Sequence, residues 1–290
     1  MRVSVVMPFL DSERFIREAV ESVRAQSFPH WELLLVDDGS RDGSAEIARG
    51  YAALDPERIR CLEHPGRENR GASAARNLAI RHARGDLVAF LDADDVWLPE
   101  KLAEQVALLD ARPEVGALYG NTLFWHGWTG APEDAARDHL PELGVPTDAT
   151  LAPPELLVRC LRGRAAVPCT CSIVLRREVV ERTGGFEERF RRVFTDQAFY
   201  AKVFAETPVY VADRCWDRYR IHPESSCSTA ERDGRLREAR ADYLAWFAGY
   251  LDARGIADGR LRRAVRSELW LHRHPRVAGG LTAARRGLRG

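Results

Sequence analysis

Hydrophobic and polar positions follow two rhythms over the first third of the chain. Short β-branched or leucine-rich runs at residues 3–7, 32–36, 59–62, 87–91 and 115–119 have the length and composition of strands. Between them, apolar residues recur at helical spacing. Phe15, Ile16, Ala19, Val20 and Val23 make one such stripe, with Asp11 or Ser12 placed to cap it. Further helices fit 43–54, 73–84 and 99–111, with Gly85 as a stop signal and Pro99 in a first turn. Strands alternating with helices predict a parallel sheet flanked by helices.

The periodicity lapses from residue 122 to 150, where Trp125, His126 and Trp128 stand among Gly, Pro, Asp and Glu. This predicts a long connection that serves as a mobile lid or as an insertion contacting a second substrate. Regular patterning returns with a helix near 154–161, a strand at 170–175 and a helix at 195–206. Beyond Ser228 the pattern is helical, with Arg260, Arg262, Arg263, Arg266, Arg273, Arg276, Arg285, Arg286 and Arg289 set against few acids. Leu261, Val265, Leu269 and Trp270 make this tail amphipathic, so it either packs on its own domain or lies on an anionic membrane. Just upstream, Tyr243, Trp246, Phe247 and Tyr250 have the spacing of core or homodimer contacts. The expected divisions are 1–120, 121–228 and an Arg-rich helical extension at 229–290.

Of the 290 residues, 45% are hydrophobic and 30% charged, the profile of a globular protein. The 43 Lys and Arg balance 43 Asp and Glu, so no basic surplus points to nucleic acid as a partner. No apolar run approaches the roughly 18 to 20 residues that cross a bilayer, and residues 1–9 pattern as a strand rather than a signal peptide. The six cysteines form neither a disulfide framework nor a zinc spacing, which predicts reduced thiols. The expected location is cytoplasmic, with the tail as a route to the inner membrane face.

Carboxylates gather where two of the expected strands end: Asp37 and Asp38 after 33–36, and Asp92, Asp94 and Asp95 after 87–91. Ligands of open α/β sheets bind beyond such strand ends. Each segment alone is equally a solvated turn or a helix cap. Together they converge on one crevice and call for a cation, and oxygen-only ligands select Mg²⁺ or Mn²⁺ completed by substrate phosphates.

Several segments resemble the family 2 glycosyltransferases of GT-A fold. They are Val5-Val6-Met7-Pro8, Glu13, the stretch from Glu21 to Gln26, Val36-Asp37-Asp38-Gly39-Ser40, the stretch from Arg70 to Asn77, and Phe90-Leu91-Asp92-Ala93-Asp94-Asp95. Gly184-Gly185-Phe186, Thr195-Asp196 and Tyr219-Arg220-Ile221-His222 continue the match more thinly. The resemblance implies a Rossmann-like nucleotide-binding half with a mixed central sheet flanked by helices, followed by the helical tail.

By that resemblance, Pro8 and Glu13 border the nucleotide pocket, Asp38 bonds the base, Asp92 holds the ribose or a metal-bound water, and Asp94 ligates the metal. Arg76 opens a helix beside the pocket, Arg220 and His222 suit the diphosphate or acceptor, and Asp196 is the catalytic base. Two departures stand out: Leu10-Asp11 replaces the Tyr-Asn common in the family, and Thr195 replaces the glutamate before Asp196. The implied activity is metal-dependent, inverting glycosyl transfer from a nucleotide sugar, UDP-linked by expectation, to a carbohydrate, lipid-linked or small-molecule hydroxyl. The rival readings are a nucleotidyltransferase or phosphohydrolase, and a nucleotide-sugar-binding protein without turnover.

Overall fold

The computed structural model describes residues 2–191, 193–225, 228, 229, 232, 234 and 236–274. Nine strands form one mixed sheet: β1 Val3–Phe9, β2 Trp31–Asp37, β3 Ile59–Glu63, β4 Leu87–Phe90, β5 Val96–Trp97, β6 Ala117–Trp125, β7 Ala149–Leu151, β8 Val174–Arg176 and β9 Val209–Arg220. Their order is β3-β2-β1-β4-β8-β6-β9-β5, with β7 on β9. The first four pair in parallel, whereas β8 runs antiparallel to both β4 and β6. Among the described residues ten helices accompany the sheet: α1 Ile16–Arg24, α2 Ser44–Leu54, α3 Ala72–His82, α4 Lys101–Asp110, α5 Pro132–Ala135, α6 Glu155–Leu161, α7 Arg177–Thr183, α8 Thr195–Glu206, α9 Leu236–Ala253 and α10 Gly259–Arg273.

The sheet is buried on both faces, which is why its inner strands are continuously apolar. Alternate residues still choose sides. Val3, Val5, Met7 and Phe9 join Leu33, Leu35, Leu87 and Ala89 in one cluster, while Val6, Leu34, Val36, Val88 and Phe90 join the other. Glu32 is a charged exception within β2. Burial acts to raise its pKa, but Ser4 Oγ, the Arg84 N–H and Arg60 all bond the carboxylate and hold it below the ordinary value. Lys101 and Asp217 form a second buried pair at 3.2 Å, with Lys101 Nζ also donating to the Ser172 carbonyl.

Several local expectations are corrected. No side chain caps α1: Phe15 is its N-cap residue, and Asp11 instead accepts the Arg41 N–H. Gly85 is no left-handed stop. α3 ends at His82, and Gly85 is needed because a Cβ there would lie 2.7 Å from the Ser4 nitrogen. Residues 122–150 are not a free lid, because β6 runs on to Trp125 and the Asp138 carboxylate accepts the His126 and Gly127 N–H groups. Trp128 Nε1 also donates to the Ile221 carbonyl. The described cysteines, 61, 160, 169, 171 and 215, are free thiols. Arg276, Arg285, Arg286 and Arg289 lie outside the described residues.

The last two helices belong to the main core. Tyr243, Leu244, Phe247 and Leu251 of α9 and Leu261, Ala264 and Val265 of α10 are buried in the same cluster as β6 and α8. Arg263 and Arg266 lie on the exposed face of α10. Leu261→Ala is therefore expected to cost about 2–5 kcal/mol in urea unfolding. The exposed Arg263→Ala should change stability by less than about 0.5 kcal/mol.

Candidate active site

Each functional side chain is set by the end of a strand or the start of a helix. At the end of β2, Asp37 Oδ1 accepts the Ser40 N–H at 2.8 Å, and Gly39 at φ +91° turns the chain where a Cβ would meet the Arg67 carbonyl. Asp37 thus builds the turn. Asp38 faces the loop after β3, accepting the Arg70 N–H at 2.8 Å and the Gly71 N–H at 2.9 and 3.1 Å. Pro8 lies in β1 opposite Val36. Glu13 is exposed and accepts the Gly43 N–H, tying the loop after β1 to the start of α2. Phe9 points into the core, and Leu10 is exposed.

The loop after β4 carries the remaining acids. Asp92 accepts from Arg76 Nη2, and Asp94 Oδ2 lies 3.0 Å from His222 Nε2. The Asp94 carbonyl accepts Arg220 Nε–H at 2.7 Å, and Asp95 Oδ1 accepts the Arg220 backbone N–H at 2.9 Å. Burial, then the negative charges of Asp94 and Asp92, push the Asp95 carboxyl well above the usual carboxylate range. Its Oδ2 is buried without a partner among the described residues.

Arg76, on α3, is 4% exposed, lies 5.2 Å over the Phe186 ring and keeps Nε and Nη1 unpartnered among the described residues. Burial opposes its charge, but Asp92 and, more weakly, Asp196 hold its pKa above the ordinary arginine value. Asp196 occupies the first turn of α8, half-buried. Burial raises its carboxyl against the pull of the Gln197 N–H and Arg76, and Asp92 adds to the rise. The residue two before it, Phe194, holds φ +60°, an uncommon conformation for a non-glycine residue. Its ring stacks on Tyr243 of α9 at 5.3 Å.

The structure therefore brings Arg76, Asp92 and Asp196 within mutual electrostatic reach, and Asp94, Asp95, Arg220 and His222 together. Glu13 takes part in neither group. Asn77 also stands apart: its side chain accepts the Phe186 N–H and donates to the Phe186 carbonyl, clamping the Gly184-Gly185 turn. Lys202 is buried on Glu187 at 2.7 Å.

Sequence reasoning missed the surroundings of Arg220, which bonds Glu18 of α1 and lies within 5.3 Å of the Phe15, Trp125 and Trp128 ring centres. The aromatic residues at 125 and 128, already conspicuous in an unpatterned stretch, were the available signal. His64, buried beside Asp38, gave none.

These residues fit a divalent cation that draws only one or two ligands from protein. Among the described residues no three His, Cys, Asp or Glu side chains could cage an ion. Asp94 is part-exposed at 29%, so its carboxylate can reach an ion and its water shell. That arrangement suits Mg²⁺ or Mn²⁺ shared with phosphate oxygens.

Among known proteins, the Escherichia coli UDP-Glc:alpha-D-GlcNAc-diphosphoundecaprenol beta-1,3-glucosyltransferase WfgD is 34% identical over 119 residues, 41% of this chain and 45% of that one. TuaG of Bacillus subtilis (strain 168), whose name refers to teichuronic acid biosynthesis, is 44% identical over 110 residues, 38% of this chain and 42% of its own. The chain spans less than half the length of these two relatives. S. aureus TarS 1-349 in complex with UDP-GlcNAc matches with a TM-score of 0.72 at 20% identity, covering 94% of this chain and 72% of that chain. The mannosyltransferase PcManGT from Pyrobaculum calidifontis, in complex with GDP-Man and Mn²⁺, matches with a TM-score of 0.64 at 23% identity, covering 98% and 74%. The two structural likenesses establish the GT-A-like fold. Residues 4–184, which hold β1 to β8 and the carboxylate loops, match the family described as Glycosyl transferase family 2, and the chain belongs to that family.

Proposed function

We propose that the protein transfers a sugar from a nucleoside-diphosphate sugar, UDP-linked, to a hydroxyl acceptor with inversion at the anomeric carbon. The carrying observation is Asp196, a carboxylate with a raised pKa at a helix start, set in the field of the Arg76–Asp92 pair. Asp196 takes the proton of the acceptor hydroxyl as that oxygen attacks the anomeric carbon. The bond from that carbon to the diphosphate oxygen breaks, and the electron pair leaves with the nucleoside diphosphate. The unpartnered N–H groups of Arg76 receive developing negative charge, and Asp38 and Asp92 hold the nucleoside. A divalent cation on Asp94, with His222 beside it, would supply neutralisation of the diphosphate.

The UDP assignment is supported by the UDP-Glc in WfgD's name and by the UDP-GlcNAc bound to TarS. The diphosphoundecaprenol in WfgD's name supports a lipid-linked acceptor, and the Mn²⁺ in PcManGT supports the metal. Among the described residues no helix is long and apolar enough to cross a membrane.

With an identified acceptor, Asp196→Asn should lower kcat by roughly two decades or more while leaving donor Kd within about twofold. Retention of more than about a third of the turnover would mean that Asp196 is only a favourable acid in the first turn of α8. A raised pKa means that the carboxyl protonates, and loses its function as a base, at a higher pH than an ordinary aspartate. The acid limb of the kcat profile is thus expected above the usual carboxylate range, with the rate falling as pH falls through it.

Calorimetry with UDP tests the metal. Affinity should drop at least about tenfold when EDTA replaces Mn²⁺, and Asp94→Ala should abolish the difference while the protein stays folded by circular dichroism. Equal affinity with Mn²⁺ and EDTA sinks the metal role.

A further inference from the structure

His64 directly follows Glu63, whose backbone pairs with Asp37 across β2 and β3. This register sets the imidazole against Asp38. The side chain is 2% exposed, and its Nε2 is buried with no hydrogen-bond partner among the described residues. Asp38 Oδ1 lies 3.9 Å away, too far for a hydrogen bond. That oxygen is already engaged by the Arg70 and Gly71 N–H groups, whereas Oδ2 accepts only from Gly71.

Asp38 Oδ2 thus has a lone pair to spare, in the same carboxylate whose Oδ1 lies 3.9 Å from an imidazole nitrogen that bonds nothing. A buried polar atom without a partner is costly and rare, and a ligand that bonds it removes the cost. The neutral imidazole can carry its proton on Nε2 and donate it there.

We propose that His64 reads the nucleobase together with Asp38. Asp38 Oδ2 accepts the ring N–H of a uracil-type base, and His64 Nε2–H donates to the carbonyl flanking that N–H. The inference rests on the assignment of Asp38 as the base contact made above. It adds a second reading group, and it gives the orphaned nitrogen a partner in the nucleotide-bound protein.

The test compares UDP with ribose 5-diphosphate, which has no base, by titration calorimetry in Mn²⁺. His64→Ala should weaken UDP by about 5- to 20-fold, the loss of one buried hydrogen bond. It should leave ribose 5-diphosphate within about twofold. His64→Gln, which keeps an N–H donor, should stay within about threefold of wild type for UDP and carries the comparison if the alanine variant does not fold. Unchanged UDP affinity in both variants, or equal loss for both ligands, overturns the proposal.

Asp38→Ala separates the two readings. If it weakens UDP while His64→Ala does not, only the role of His64 falls. If Asp38→Ala also leaves UDP unchanged, or the wild type does not bind UDP, the base assignment falls with it.

Discussion

Three carboxylates, Asp92, Asp94 and Asp95, crowd four consecutive positions, and their mutual repulsion is the constraint around which the site is organised. Repulsion of this kind grows as water is excluded, so the loop keeps its shape only with cations and hydrogen-bond partners set against it. One partner comes from 16 residues back, the others from far along the chain. Arg76 arrives on α3, and Arg220 and His222 arrive at the end of β9, more than 120 residues away in sequence. Arg220 must itself be neutralised and enclosed, which Glu18 and three aromatic rings accomplish. The carboxylate loop is thereby the joint between the N-terminal parallel strands and the later, mixed part of the sheet.

Asp196 depends on a different kind of support. It is placed by packing more than by charge. Phe194 adopts a left-handed conformation immediately before α8, and its stacking on Tyr243 is a contact able to offset that strain. Tyr243 lies on α9, whose burial is shared with Leu261, Ala264 and Val265 of α10. The Arg-rich C-terminal segment therefore serves the site through its apolar face. Its described arginines face solvent or pair with nearby groups, as Arg262 does with Asp252 and Arg240 with Glu268.

Much of this was legible in the sequence, because period-2 and period-3.6 patterns are local. The parallel strands emerged from their apolar runs, α8 was bounded correctly at 195–206, and the acids of 92–95 stood out after β4. Helix caps were less legible. α1 has no side-chain cap because Asp11 and Ser12 were drawn into the loop that holds α2. Residues 122–150 carry little periodicity, since their order comes from side chains such as Asp138 and Asn121 bonding backbone at a distance.

The sequence by itself determined which elements form and where negative charge collects, since both depend on neighbours within a few residues. Only the tertiary structure decided which groups meet that charge. Lys101 occupies a helix and Asp217 a strand, and nothing local distinguishes them from solvated residues until the strand order brings them together 116 positions apart. The same holds for His64 beside Asp38 and for Arg220 against Glu18. Pairings of that kind follow from sheet order and register, which arise from packing of the whole core and are not encoded in any short window of sequence.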